Sequence, residues 1–232
     1  MIIGSGFIAN SFRKFHLDKK NILIFASGVS NSKEKKSKNF EREVNLLKKY
    51  SKSKKIFIYF STISVYDNYL RQSLYVKHKL RIENIIKKSY KNFYIFRLPQ
   101  IAGINKNKNT ILNYLYFNIK AQKKITIWSN SMRNVLDILD VIKIVNFCLK
   151  KNKKKKNIIN IMNPFNIHIT TIVNIFEKIL KKKALHNIIK IKSVVNTKRI
   201  NFFKPPKILG IKFKKNYTDI ILRKYYLKNS FR

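Results

Sequence analysis

The 232-residue sequence predicts an α/β fold built on a largely parallel sheet, and three observations carry the prediction. Short apolar runs bounded by turn residues alternate with segments of helical period. The first run, Met1-Ile2-Ile3, passes through a glycine-containing turn directly into a helical segment. Hydrophobic residues make up 45% of the chain, enough at this length for one good core, or one domain with a smaller lobe.

In order, the strand candidates are Met1–Ile3, Ile22–Ala26, Ile56–Phe60, Tyr94–Leu98 and Ile158–Ile161. Each is a short, Ile- and aromatic-rich run between turn signals. Helices are expected near Phe7–Phe15, Phe40–Ser51, Tyr75–Ser89, Thr110–Lys120 and Asp137–Lys150, which is the alternation of a parallel sheet. The later part reads as a short strand at Ile125–Trp128 and a helix from about Thr170 to Lys182 opened by a threonine cap. An irregular tail containing Phe203-Lys204-Pro205-Pro206 follows, and a last helix begins near Tyr217. The expected organisation is a cofactor-binding part over residues 1–104 and a substrate-binding lobe over residues 105–232, with roughly 133–165 packing back on the first part.

The formal charge is +42, from 52 Lys and Arg against 10 Asp and Glu. A nucleic-acid or anionic-membrane partner is the obvious inference. Against it, the lysines are spread along the whole chain, and their local runs at Lys52 to Lys55, Lys150 to Lys156 and Lys181 to Lys183 suit solvated helix ends and loops. The abundance of Ile, Asn, Phe and Tyr with only 5 Gly and 4 Pro is the residue set of an AT-rich coding sequence. Salt-dependent adhesion to polyanions is expected, without a specific nucleic-acid site. No apolar run approaches a membrane span and no signal peptide is evident, so a cytoplasmic protein is expected. The single cysteine, Cys148, reads as core filler, and the scattered His16, His168 and His186 give no metal signal.

Chemistry concentrates in two motifs. Gly4-Ser5-Gly6-Phe7-Ile8-Ala9 is a Gly-x-Gly-x-x-Ala pattern between a strand and a helix, the setting in which a backbone turn and a helix N-terminus receive a pyrophosphate. This marks the sheet as Rossmann-like. The second is Ser61-Thr62-Ile63-Ser64-Val65-Tyr66 at a strand end, followed by Tyr75-Val76-Lys77-His78-Lys79 on a helix. Tyr75 and Lys79, four apart, share a helix face, and an ammonium there is expected to pull down the phenol's pKa from about 10. A hydroxyl on Thr62 would then hydrogen-bond a substrate oxygen while Tyr75 gives or takes its proton, which is carbonyl–alcohol chemistry. His78 points elsewhere on the helix, toward solvent.

With these motifs in order, the chain resembles the extended short-chain dehydrogenase/reductase family, whose members epimerise, dehydrate or reduce nucleotide-linked sugars. Ser27-Gly28 after Ile22–Ala26, Arg97-Leu98-Pro99-Gln100-Ile101-Ala102-Gly103, Arg133-Asn134-Val135-Leu136-Asp137-Ile138-Leu139-Asp140 and Lys207-Ile208-Leu209-Gly210-Ile211 look like further segments of that family. The resemblance implies NAD or NADP as cofactor, held by Gly4, Ser5, Gly6, Phe7, Ile8, Ala26, Ser27, Gly28, Tyr75, Lys79 and Leu98. It implies a nucleotide-sugar substrate at Thr62, Gln100 and Arg133, with the Arg133 guanidinium on the diphosphate. Thr62, Tyr75 and Lys79 would be catalytic, and a homodimer and a role in surface polysaccharide synthesis are implied too. Asp140 caps or orients, and Trp128 packs rather than stacking on a base.

Two departures sharpen these expectations. Only a dozen residues separate Ala9 from the strand at Ile22, too few for the second and third strands that hold adenosine in the family, so a sheet of reduced strand number is expected. Lys19 and Lys20 would favour a 2′-phosphate, and Asp18 is the only acid nearby. Ile63 and Ser64 stand where the family's dehydratases place an Asp-Glu pair, which leaves an epimerase or a keto-reductase. The rival readings are a same-fold NAD(P)- or sugar-nucleotide-binding protein without catalysis and a basic nucleic-acid-binding protein.

Overall fold

The computed structural model describes residues 1–15, 21–151 and 156–227. Asp18, Lys19 and Lys20 lie outside the described residues, as does His16.

Five strands form one all-parallel sheet: β1 (Ile2–Ile3), β2 (Ile22–Phe25), β3 (Ile56–Thr62), β4 (Phe93–Leu98) and β9 (Lys156–Asn160), side by side in that order. The strands read as nearly unbroken apolar runs because both faces are covered, as in parallel sheets generally. Their alternation sorts side chains between two layers. Ile24, Ile58, Phe60 and Phe96 face α1 (Phe7–Phe15) and α5 (Ile138–Lys151), where Phe12, Val145 and Cys148 are buried. Leu23, Phe57, Tyr59 and Ile95 face α2 (Ser37–Lys49) and α3 (Leu74–Ser89), against Val44, Leu47, Ile82 and Ile86. Cys148 is core filler, as its apolar setting implies.

Successive strands are sheet neighbours throughout, and β1 is an outer strand. Among the described residues no strand pairs with the other edge of β1, as expected from the short Ala9-to-Ile22 interval.

Between β4 and β9, and again after β9, the chain builds three two-stranded pairings. β5 (Gln100–Ala102) pairs with β8 (Val135–Asp137), β7 (Met132–Arg133) with β10 (Ile167–His168), and β6 (Ile125–Trp128) with β11 (His186–Ile189). α4 (Ile111–Lys120), α6 (Ile169–Leu180) and α7 (Tyr217–Tyr226) pack together through Tyr116, Phe176 and Tyr226, whose ring centroids lie 4.9–5.7 Å apart. This aromatic cluster is continuous with the core on the α1/α5 face of the sheet.

The expected elements are present, the short strands β5, β7, β8 and β10 add to them, and three further details differ. β9 begins at Lys156, two residues before the apolar run, because backbone pairing with β4 does not require apolar side chains. α6 starts at Ile169 behind His168 with no side-chain cap, so Thr170 sits inside the first turn rather than opening it. β11 falls in what reads as irregular tail: all four of its residues are exposed, so no burial pattern announces it.

Candidate active site

β1 delivers the glycine turn to the C-terminal edge of the sheet. Gly4 has φ +118°, and a Cβ there would lie 2.5 Å from the Ala26 carbonyl oxygen, so the turn closes tightly on the end of β2. A Cβ on Gly6 would meet nothing within 4 Å, so the backbone there faces open space at the start of α1. Ala9 is fully buried, the close helix–strand packing expected of it. Arg13 donates to the Gly4 carbonyl oxygen and, at 2.7 Å, to Asn10 Oδ1. Arg42 of α2 donates to Ser27 O at 2.9 Å and Ser27 Oγ at 3.2 Å.

β3 ends in Thr62, whose hydroxyl accepts from Ser64 N–H at 3.1 Å and so opens the short helical turn Ile63–Tyr66. α3 begins after Ser73, whose hydroxyl accepts from Val76 N–H at 3.3 Å, and this cap sets Tyr75 in the first turn beside Thr62. Lys79 follows one turn later, its Nζ 5.8 Å from the centre of the Tyr75 ring. The helix face inferred from spacing is therefore real.

The electrostatics differ from expectation. Burial pushes the Tyr75 phenol well above its usual value, the charge of Glu43 pushes it further, and the hydrogen bond with Thr62 only partly opposes them. The net shift is thus upward, against the lowering expected from Lys79. Lys79 donates to Tyr59 Oη at 2.8 Å, lies over the Tyr59 ring, and pairs with Glu43 Oε1 at 3.5 Å.

Glu43 is a buried residue of α2 that sequence reasoning missed. Tyr59 Oη donates to its Oε1 at 2.6 Å, Val29 N–H donates to its Oε2 at 2.6 Å, and His78 Nε2 lies 3.0 Å from the same Oε2. Burial alone would raise this carboxyl, but Lys79 and the three hydrogen bonds outweigh it and hold the pKa at about 2. His78 is correspondingly buried, its ring tilted against Phe40 at 4.7 Å, and not in solvent as expected. Glu83, one turn beyond Lys79, is a second buried carboxylate. It takes Ser61 Oγ at 2.6 Å and a two-pronged guanidinium contact from Arg97 at 2.9 and 2.6 Å, which locks α3 onto β3 and β4.

Gln100, on β5, has its N–H on Asn134 O at 3.0 Å. Arg133, on β7, lies 5.6 Å from the Trp128 ring, and its Nη1 donates to Met132 O at 2.8 Å and Ser193 Oγ at 3.2 Å. Burial lowers the Arg133 pKa, and Asp67 partly restores it. Asp67, also unforeseen, is buried and accepts from Ser193 Oγ at 2.8 Å and from the N–H groups of Tyr69 and Leu70 at 2.9 Å. Trp128 packs edge-on to Tyr69 at 5.2 Å while lining the cleft. Asp140 accepts from Tyr217 Oη at 2.7 Å, an orienting contact.

One cleft of about 1020 Å³ joins these pieces. Its walls include Gly6, Phe7, Ile8, Ala26 and Gly28 from the first two strand–helix turns, Thr62, Tyr75, Lys79 and Leu98, and Gln100 and Arg133 on β5 and β7. Gly4, Ser5 and Ser27 belong to the turns beneath and do not line it. Among the described residues no group of His, Cys, Asp and Glu is placed to hold a metal, and no helix is long and apolar enough to cross a membrane.

No family model and no curated protein matches the sequence. Solved structures do match. UDP-N-acetylglucosamine 4-epimerase from Bacillus cereus superposes with a TM-score of 0.65 at 17% identity, over 95% of this chain and 80% of that one. UDP-glucuronic acid 4-epimerase from Bacillus cereus, in complex with UDP-glucuronic acid and NAD, gives 0.60 at 21% identity, over 80% and 66%. RMD from Pseudomonas aeruginosa, complexed with NADPH, gives 0.64 at 14% identity, over 81% and 86%. The fold of this chain is that of the extended short-chain dehydrogenase/reductases.

Proposed function

We propose that the protein is an NAD(P)-dependent epimerase or keto-reductase acting on a nucleotide-linked sugar, in surface polysaccharide synthesis. The observation that carries this reading is the single cleft that places the open Gly6 turn and the Thr62–Tyr75–Lys79 cluster on one surface. The residues present fit the pyrophosphate end of a dinucleotide: a Cβ-free approach at Gly6 beside the N-terminus of a nine-residue helix. When bound, the nicotinamide would supply or accept the hydride. Thr62 Oγ1 would hold the substrate oxygen. Tyr75, kept protonated by burial and by Glu43, is in the form that gives a proton to a carbonyl, and an alcohol would have to yield its proton to the phenolate. Arg133 would meet the diphosphate. Turnover of a 4-keto nucleotide sugar tests the reading: Tyr75→Phe with unchanged turnover would refute it.

A second reading, a same-fold binding protein without catalysis, is favoured by one observation, the position of β1 at the edge of the sheet, with no further strand beside it among the described residues. Calorimetry separates the two. Absence of heat with NADH, NADPH and NAD⁺ in the presence of UDP- or dTDP-sugars supports the second.

A further inference from the structure

We propose that Glu43 is a positioning residue for this site: it holds Lys79 at the wall of the cleft and, by its own buried charge, sets the proton affinity of Tyr75. The proposal deepens the reading above, since it takes Tyr75 as the acid/base. Glu43 is fully buried and is not part of the cleft wall, whereas Lys79 and Tyr75 are, so Glu43 acts on these two side chains without touching what the cleft holds.

The geometry is that of a hub. Both carboxylate oxygens are engaged, by Tyr59 and Lys79 on Oε1 and by Val29 N–H and His78 on Oε2. These contacts gather β3, α3 and the turn after β2 onto one side chain of α2. A carboxylate at this depth is tolerated only when paired and hydrogen-bonded, and Lys79 is the cation it meets. Tyr59 closes the triangle by donating to Glu43 and accepting from Lys79, so the ammonium is fixed from two sides while it lies against the Tyr75 ring.

Gly28 completes the arrangement. Its φ is not in the left-handed region, so conformation is not the reason for a glycine there; space is. A Cβ at Gly28 would lie 2.7 Å from Lys79 Nζ and 2.8 Å from Glu43 Oε1, so the turn that lines the cleft packs directly on the ion pair. The ionisable groups facing Tyr75 are Lys79 and Glu43, with Tyr59 behind them, and Thr62 is its hydrogen-bond partner. His78 is held on the far oxygen of Glu43, and Glu83 is tied to Arg97 and Ser61.

The test places 3,5-difluorotyrosine at position 75, whose more acidic phenol titrates in an accessible range, and follows it by ¹⁹F NMR. Removing the carboxylate charge in Glu43→Gln lowers the titration midpoint by about one pH unit or more, as expected for loss of a nearby like charge. Glu43→Asp, which keeps the charge, leaves the midpoint near that of the parent. An unchanged midpoint in folded Glu43→Gln overturns the proposal. Should Glu43→Gln fail to fold, the double variant Glu43→Gln/Lys79→Met decides: the pair predicts a higher melting temperature for the double variant than for Lys79→Met alone, and additive losses overturn it. The resonance is read without turnover, so it judges Glu43 separately from the catalytic reading, which stands or falls on the activity of Tyr75→Phe.

Discussion

Acid titration of the fold gives the most quantitative check of the Glu43 environment. The carboxyl is held at about 2 in the folded protein against 4.5 ordinarily. At about 1.4 kcal/mol per pH unit, that gap corresponds to about 3 kcal/mol of stability. A depressed folded pKa contributes its stability in full above the unfolded value. The contribution is therefore present above pH 4.5 and is lost as pH falls from 4.5 toward 2. Glu43→Gln has no such proton to bind, but it strands the Lys79 ammonium at a site only 3% exposed, at a cost of about 3–5 kcal/mol near neutrality. The variant is thus much the weaker protein at pH 6, and the difference between the two narrows by about 3 kcal/mol on the way to pH 2. Urea unfolding followed by circular dichroism at half-unit pH steps measures both curves. A wild-type-to-variant difference that stays flat between pH 4.5 and 2 would show that Glu43 is not held ionised by its partners, and the account of the site would fail with it.

Three further outcomes are expected. Tyr75→Phe lowers turnover of a 4-keto nucleotide sugar by about 10²- to 10⁴-fold while calorimetric affinity for the dinucleotide changes little; a parallel loss of affinity would mean that the hydroxyl binds rather than transfers protons. Gly4→Ala, which must hold φ +118° and bring its Cβ against the Ala26 carbonyl, destabilises the fold by about 1–3 kcal/mol in urea, whereas Gly6→Ala, which meets no protein atom, costs less than 1 kcal/mol and instead weakens dinucleotide binding. Equal destabilisation by the two would contradict the turn geometry. Arg97→Leu leaves the Glu83 carboxylate buried without its guanidinium and costs about 3–5 kcal/mol, and the loss is relieved in Arg97→Leu/Glu83→Leu; no recovery in the double variant would argue that the pair is not what joins α3 to β4.

Much of the site was legible because its signals are local. The Gly4-to-Ala9 spacing reports a turn between adjacent elements, and the Tyr75-to-Lys79 spacing reports a shared helix face, so each is decided by residues within one or two turns of chain. The missing strands were legible as simple length: a dozen residues cannot cross a sheet and return. Glu43, Asp67 and the burial of His78 were not legible. Glu43 sits in Ser37–Lys49 among charged neighbours and lies 35 positions from His78, with nothing in the spacing to mark it as buried. Asp67 meets Ser193 across 126 positions. β11 escaped for the opposite reason, since an exposed pairing leaves no apolar pattern.

By itself, then, the sequence determined the order of the helices and of the main-sheet strands, the parallel sheet and the tyrosine–lysine face, all set by periodicity and short-range spacing. Tertiary structure decided the protonation balance. Burial raises the Tyr75 phenol first, and a carboxylate from α2, which also pairs with the Lys79 ammonium, raises it further. Electrostatic effects follow distance in space and burial, neither of which spacing along the chain encodes.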